Sequence, residues 1–498
     1  MLRNDQAMGN EQDKVHSVKY NFLMNFILTA SSLIFPLITF PYVSRVLHAT
    51  GNGNVNFAAS IANYFLMVAS LGIPTYGVKA CAKVRDDKEQ LSKTAQEILI
   101  INLISTALVT VTYIIFVFTI PKFSQDKSLF FIEGVNIVLN MFGANWLYQA
   151  LEKYDYITAR SILFNTISVA LMFALVHQES DYHIYAATTV VASVGSNVMN
   201  FIRLNRYISF KKVGEYNFRR HLKPIFILFA GNAVASIYTN LDTVMLGFMK
   251  TSTDVGYYSA AVKIKNILVS VVSSLSGVLL PRMSYYVQHK DKQQFNRLMT
   301  TAFNATIFMS LPLCTYFIVE AKDSLIFLAG AEYIPATLAM QIINISIVAI
   351  GITSIIGIQV LTPINREFQL MISVIVGAVS DFILNYFMIP KWSAAGASFA
   401  TMIAEYLVLV TQLILGRDVV GEAFKHVRYV RYGVTTAVAL VSTIAVTYLP
   451  VTNSFLRLVI TAAVFFGVYA IILYIVKDEL LYRLLDNRFT GRLIRKYK

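Results

Sequence analysis

Long apolar segments, separated by short polar connections, run through nearly the whole chain. A helix needs about 20 apolar residues to cross the hydrocarbon of a bilayer. The segments are continuously apolar and too long for the strands of a membrane barrel. We therefore predict an all-α membrane protein of about 14 transmembrane helices, near residues 19–44, 55–78, 94–120, 129–150, 158–177, 183–203, 222–248, 255–280, 299–320, 334–362, 367–389, 394–416, 430–449 and 455–476.

Basic residues fall mainly in every second connection. Of the 42 Lys and Arg residues, 33 lie in one alternate set of connections and termini, and only 7 lie in the other set. Basic residues accumulate on the cytoplasmic side of membrane proteins, so this asymmetry predicts that both termini are cytoplasmic. The remaining two, Lys263 and Lys265, lie within an apolar segment, where a charge is costly and usually functional.

A short motif occurs twice, as DKEQLSK at 87–93 and DKQQFNR at 291–297. Six predicted helices separate the copies, which is an even number, so both copies enter the membrane in the same orientation. This is typical of two-lobed transporters with a site near the midplane. We predict a cytoplasmic leader at 1–18, an N-lobe at 19–210, a C-lobe at 211–416, an appended helix pair at 417–476 and a basic cytoplasmic tail at 477–498. The leader lacks the small-residue cleavage pattern of a signal peptide, so we expect the first helix to be retained.

Composition excludes several classes of function. The chain is 56% hydrophobic and 14% charged, too apolar for a water-soluble fold. Its net charge of +14 lies at helix ends, which suits membrane lipid headgroups rather than nucleic acid. Two cysteines support neither a disulfide framework nor a metal site. The outer loops are short and no Walker sequence is present, so we expect neither an enzyme nor ATP hydrolysis by this chain.

Two charges within predicted helices 7 and 8 have matching depth. Asp242 and Lys263 lie roughly 9 and 12 Å from the outer ends of their helices. Consecutive helices are usually neighbours, so the two charges can pair. The pair is either a static link between helices or a lumenal pair that opens when an anionic ligand competes for the lysine. Residues two apart cannot share a helix face, so we predict that Lys263 faces the lumen and Lys265 does not.

Two further acids and three further cations complete the candidate site. Asp381 and Glu405 are deep in predicted helices 11 and 12. They could pair with the cations or carry a coupling H⁺ or Na⁺, or they could be neutral acids that hold helices together. Arg45, Lys79 and Arg282 lie near helix ends, where they could bind a phosphate headgroup or extend to ordinary lipid headgroups. Arg160 has the same two interpretations. No cofactor and no structural metal are expected.

Five stretches of the chain resemble the polysaccharide-exporting branch of the multidrug/oligosaccharidyl-lipid/polysaccharide exporter superfamily, the Wzx-type flippases. The stretches are FPLITFPYVSRVL at 35–47, ASLGIPTYG at 69–77, NWLYQALEKY at 145–154, LDTVMLG at 241–247 with VGYYSAAVKI at 255–264, and NYFMIPK at 385–391 with Gly396 and Ala397. The chain departs from the family pattern at His48 and Ala150, where a glycine is usual.

The resemblance implies two six-helix lobes around a cationic cavity in the plasma membrane of a bacterium. It implies that an undecaprenyl-diphosphate-linked oligosaccharide is moved across that membrane, with a polysaccharide polymerase and chain-length machinery as further partners. On this interpretation Arg45, Lys79, Lys263 and Arg282 would bind the headgroup, and the three acids would pair with them or carry the coupling ion. The alternatives are an antiporter of small cationic compounds on the same architecture and a membrane polymerase or ligase. The first would need an acidic lumen, and the second would need larger outer loops.

Overall fold

A computed structural model describes residues 18–447 and 453–482, and this part of the chain consists of helices joined by turns, without a strand. The predicted leader at 1–18 and tail at 477–498 lie largely outside the described residues. The chain divides into two compact units at Asn240/Leu241, and this boundary falls inside the helix Arg219–Met249. The predicted lobe boundary at 210/211 lies before that helix and stays a prediction.

The first unit is built from long helices with short helices between them. They are Val18–Ser70, Ile73–Ala82, Lys88–Thr119, Pro121–Ser124, Lys127–Asn140, Asn145–Ala150, Tyr154–Leu175, Tyr182–Leu204 and the first part of Arg219–Met249, with a 3₁₀ turn at Glu179–Asp181. Its core contains buried side chains such as Trp146, Tyr148 and Ile225.

The second unit continues in the same way. Its helices are Ser252–Gln288, Lys292–Val319, Ala321–Leu328, the 3₁₀ turn Ala331–Ala336, Thr337–Asn344, Ser346–Ser354, the π-helix Ile355–Leu361, Glu367–Leu415, Arg417–Lys425, Tyr429–Thr447 and Ser454–Ile475. The last two helices pack on the rest of this unit: the Tyr469 hydroxyl donates to Phe308 O at 2.9 Å, and the Tyr316 hydroxyl donates to Leu458 O at 2.8 Å.

The apolar helices confirm a multi-pass membrane protein. Within the described residues, nine helices are long and apolar enough to span a bilayer, or ten if a bent pair counts as one span. Two of them, Leu23–Ala82 and Glu367–Leu415, each contain two of the predicted spans. The count of fourteen and the cytoplasmic placement of both termini stay predictions.

Each of these two long helices is divided by a kink at a single residue, near the place where one predicted span ends and the next begins. Val18–Ser70 is interrupted at His48, with φ 56° and ψ −175°, and Glu367–Leu415 is interrupted at Ser393, with φ 47° and ψ −125°. Such a backbone is strained for a residue with a side chain and easy for glycine. The conformation of His48 therefore accounts for the glycine that is usual at this place in the resembling family.

The repeated motif begins a helix in each unit. Asp87 caps Lys88–Thr119 by accepting hydrogen bonds from the backbone N–H of Glu89 and Gln90. Asp291 caps Lys292–Val319 by accepting one from Gln294 N. A side-chain acceptor at this position satisfies backbone N–H groups that a helix start leaves without a partner. The two copies of the motif thus perform the same structural task.

Candidate functional site

A buried cluster of polar side chains lies in the second unit around Asp242. The Asp242 carboxylate accepts hydrogen bonds from the Tyr258 hydroxyl at 2.5 Å, Asn385 Nδ2 at 2.6 Å and Thr401 Oγ1 at 2.9 Å. Asp242 itself is only 5% exposed. Three donors thus converge on one carboxylate, because an isolated charge inside a membrane protein must be compensated by polar neighbours.

Two further acids stand beside this carboxylate. Asp381 is fully buried and lies against Asp242, and Glu405 is close enough for its charge to act on Asp381. Neither carboxyl oxygen of Asp381 makes a hydrogen bond of good geometry with the described residues. Two buried carboxyl groups in contact, with a third nearby, cannot all carry a negative charge without compensation. The arrangement can therefore hold a proton.

The positive charge that acts on both Asp242 and Asp381 is that of Lys265. Lys265 follows Tyr258 by seven residues, roughly two helical turns, so both side chains lie on the helix face that meets the acids. Lys263 lies about 140° around the helix from Tyr258 and is partly buried. That Lys263 rather than Lys265 faces the lumen stays a prediction. The pairing of Lys263 with Asp242 and its role in headgroup binding stay predictions.

A basic cavity of about 610 Å³ opens in the first unit. Lys79 lines it together with Lys83, Arg220 and Lys223, and no carboxylate residue is among its lining residues. Lys79, Lys83 and Lys223 are exposed. By the distribution of basic residues, this is the predicted cytoplasmic side. A concave surface with several cations and no acid attracts phosphate groups.

A buried network supports the wall of this cavity. Glu97, fully buried, accepts hydrogen bonds from Arg220 Nη2 at 2.6 Å and from Asn217 N at 2.8 Å, and its carboxylate lies 2.6 Å from His221 Nε2. His221 Nδ1 lies 2.7 Å from the Tyr76 hydroxyl. Because Glu97 satisfies these groups together, Arg220 is held at the rim of the cavity in one orientation.

The other predicted cations are dispersed. Arg45 is exposed and donates from Nη1 to Pro41 O at 2.7 Å, one turn earlier in its own helix. Arg282, also exposed, is in the second unit near the end of Ser252–Gln288. Their roles in headgroup binding stay predictions. Arg160 is 3% exposed, so it does not extend to lipid headgroups as a residue near a helix end could.

Residues at two of the predicted outer connections contact each other. His183 Nε2 lies 2.8 Å from Asp126 Oδ1, and the Tyr182 hydroxyl donates to Asp126 Oδ2 at 2.7 Å. Burial raises the pKa of Asp126, but these side chains and the Leu129 backbone N–H outweigh it and hold that pKa below its usual value. No group of three or more potential metal ligands occurs among the described residues.

Sequence reasoning missed several members of both sites. Tyr258, Asn385 and Thr401 carry no charge, so nothing in the sequence separates them from other polar residues of apolar helices. Glu97 and His221 are in different helices and 124 positions apart. One signal was available for Glu97: it is an acid in the first turns of an apolar helix, where a cation partner is to be expected.

Comparison with known proteins places the chain in a family. A family model described as polysaccharide biosynthesis protein matches residues 18–287, more than half of the chain. A protein of Escherichia coli K12 named "Putative O-antigen transporter" is 22% identical over 417 residues, covering 81% of this chain and 97% of that protein. The capsular polysaccharide biosynthesis protein CapF of Staphylococcus aureus is 21% identical over 405 residues, covering 80% and 98%.

Solved structures show the same fold. The lipid II flippase MurJ in an inward closed conformation superposes with a TM-score of 0.77 at 16% identity, covering 92% of this chain and all of that one. An inward-facing multidrug resistance MATE transporter of the MOP superfamily superposes with a TM-score of 0.57 at 11% identity, covering 79% and 99%. These similar proteins are named as transporters and flippases rather than as enzymes. The chain is thus a multi-pass membrane protein with the MOP transporter fold, and it belongs to the polysaccharide biosynthesis protein family.

Proposed function

We propose that this protein is a flippase that moves undecaprenyl-diphosphate-linked oligosaccharide repeat units from the cytoplasmic to the outer leaflet by alternating access. Cell-surface polysaccharide synthesis requires such a step. The observation that carries the proposal is the basic cavity at Lys79, Lys83, Arg220 and Lys223. A diphosphate that leaves water needs several cations to replace its hydration, and this cavity offers three exposed lysines beside Arg220, which Glu97 holds in place. The names of the O-antigen transporter and CapF relatives support the same cargo class.

The acid cluster would serve as the binding site for a coupling ion. Asp242, Asp381 and Glu405 are brought together in the second unit, with Lys265 as a positive charge nearby. Entry of H⁺ or Na⁺ would relieve the repulsion between the carboxylates and favour one conformation of that unit over another. An ion shifts an equilibrium only through different affinity for the two states, and a carboxylate cluster provides that difference.

A charge-matched pair of variants tests the proposal. In cells that lack the gene, lipid-linked repeat units should accumulate on the inner leaflet, and the wild-type gene should restore their export. The triple variant Lys79→Gln, Lys83→Gln, Lys223→Gln removes three charges from the cavity and should fail to restore it. The control Lys88→Gln, Lys211→Gln, Lys292→Gln removes three exposed charges elsewhere on the predicted cytoplasmic side and should restore export.

Two results would contradict the proposal. Repeat units that reach the outer leaflet without the gene would exclude the flippase function. Equal export by the two triple variants would exclude the basic cavity as the headgroup site. The MATE-like alternative, an antiporter of small cationic compounds, predicts instead that loss of the gene sensitises cells to such compounds without accumulation of repeat units.

A further inference from the structure

A second cavity, of about 420 Å³, lies within the first unit and differs from the basic cavity in its chemistry. Eleven of its thirteen lining residues are polar, and all but one of these eleven are Ser, Thr or Asn. The exception is Arg160, so the cavity has one charged lining residue and no acid. Thr29, Ser32, Asn145 and Ser193 are exposed, and the cavity therefore opens to the surface of the unit.

The cavity lies too deep in the predicted membrane to be an ordinary polar surface patch. Ser32 is about 21 Å along Val18–Ser70 from the start of that helix, and Asn165 is about 16 Å from the start of Tyr154–Leu175. Both lie near the middle of a hydrocarbon layer of about 30 Å. Polar surface at this depth faces water or a ligand rather than lipid.

Arg160 is held in place by neutral groups. Its Nη2 donates to Asn145 Oδ1 at 2.9 Å, and its Nη1 donates to Asn200 Oδ1. Its guanidinium lies 5.5 Å from the centre of the Tyr156 ring, against which the Arg203 guanidinium also packs, at 4.4 Å. The Arg160 Nε has no hydrogen-bond partner, and no carboxylate pairs with Arg160 among the described residues. A buried positive charge without an acid is costly and is compensated when an anion binds.

Several lining side chains are also available to a ligand. Within the described part of the chain, the side chains of Asn140, Ser161 and Asn165 make no hydrogen bond. Amide and hydroxyl groups both donate and accept, which matches the hydroxyl groups of a sugar. The planar fork of a guanidinium matches a single carboxylate. A diphosphate would need more cations than this cavity contains.

We propose that this cavity binds an acidic sugar unit, with Arg160 on the sugar carboxylate and the Ser, Thr and Asn side chains on its hydroxyl groups. The proposal rests on the proposed function, and it specifies the cargo as an oligosaccharide that contains a uronic acid-type residue. The lipid diphosphate and the sugar would then bind at two different places in the first unit.

Binding to the purified full-length protein in detergent tests this directly. Isothermal titration calorimetry with D-glucuronate and D-glucose at equal ionic strength should show at least tenfold tighter binding of glucuronate. Inorganic phosphate should bind equally to the wild type and to Arg160→Gln, because its proposed site is the basic cavity. Arg160→Gln should abolish the difference between glucuronate and glucose. Asn165→Leu should block the cavity without touching the Arg160 bonds and reduce glucuronate binding at least tenfold. The adjacent exposed Thr166→Leu should not change it.

Each other outcome overturns the proposal. Equal binding of glucose and glucuronate would make Arg160 a purely structural cation, and loss of phosphate binding in Arg160→Gln would assign the cavity to a phosphate group. Normal glucuronate binding by Asn165→Leu, with a folded protein by gel filtration, would place the sugar elsewhere. None of these results affects export of repeat units by the wild type, so a failure here is distinguishable from a failure of the flippase function.

Discussion

Asn385 donates a hydrogen bond of 2.6 Å to the Asp242 carboxylate, although the two residues are 143 positions apart in the chain. The bond joins the end of Arg219–Met249 to the first half of Glu367–Leu415, both within the second unit. Tyr258 and Thr401 complete the set of donors. A movement of any of these helices therefore alters the environment of the same carboxylate. Ion-coupled movement of that unit would depend on this link.

Removing one donor should tighten binding of the coupling cation, because the donor stabilises the ionised carboxylate that the cation would neutralise. Thr401→Val keeps the shape of the side chain and deletes the hydroxyl that donates to Asp242 at 2.9 Å. A hydrogen bond to a charged group contributes about 1.5–3 kcal/mol, so the half-saturating concentration of the coupling cation should fall about tenfold or more. The measurement is flipping in proteoliposomes against Na⁺ at constant pH and against pH at constant Na⁺. Thr411→Val, on the same helix, is the control. Identical curves for both variants would show that Thr401 has no role in binding the coupling cation.

The two lysines of Ser252–Gln288 should have different effects. Lys265 places a positive charge near Asp242 and Asp381, so Lys265→Ala removes a competitor of the coupling cation and should lower the cation concentration needed for flipping. Lys263→Ala should leave that concentration unchanged and impair export through weaker headgroup binding. Flipping rates at varied cation and varied cargo concentration distinguish the two effects. The same shift of the cation curve in both variants would contradict this division.

Loss of the Glu97 charge should destabilise the first unit. Glu97→Gln leaves the half-exposed Arg220 and the buried His221 without their carboxylate, and the loss of a hydrogen bond to a charged group costs about 1.5–3 kcal/mol. The expected result is a lower midpoint of thermal unfolding in detergent. Glu89→Gln, at an exposed position eight residues earlier, should leave the midpoint within error. A stable Glu97→Gln protein would mean that the network is not needed to hold Arg220.

A close approach of two backbones makes Gly72 sensitive to substitution. A Cβ atom at Gly72 would lie 2.3 Å from Ile225 O and 2.8 Å from Phe229 N, so Gly72→Ala must push Arg219–Met249 away from the second helix. We expect at least about 2 kcal/mol of destabilisation, since overpacking typically costs 1–3 kcal/mol. Gly231→Ala, where nothing lies within 4 Å, should be neutral or slightly stabilising. Equal thermal midpoints for the two variants would refute the close approach.

Apolar length and the position of charged residues were enough to predict the membrane fold, because a bilayer requires long apolar helices regardless of their neighbours. The repeat at 87–93 and 291–297 was also visible in the sequence, and each copy begins a helix. The neighbours of Asp242 were not predictable, because Asn385 and Thr401 reach it only through tertiary packing. Depth suggested Lys263 as a partner of Asp242, and the effect of the Lys265 charge on Asp242 is seen only in the packed structure.

The caps also bear on ancestry. Asp87 and Asp291 begin helices at equivalent places 204 residues apart, as expected if the chain arose by fusion of two copies of a shorter protein. The acids did not accompany that duplication: 204 positions before Asp242, Asp381 and Glu405 stand Ile38, His177 and Phe201, none of them acidic. The two copies have therefore specialised. On the proposed function, the later half would respond to an ion gradient, and the earlier half would hold the cavities for a charged and hydroxyl-rich cargo.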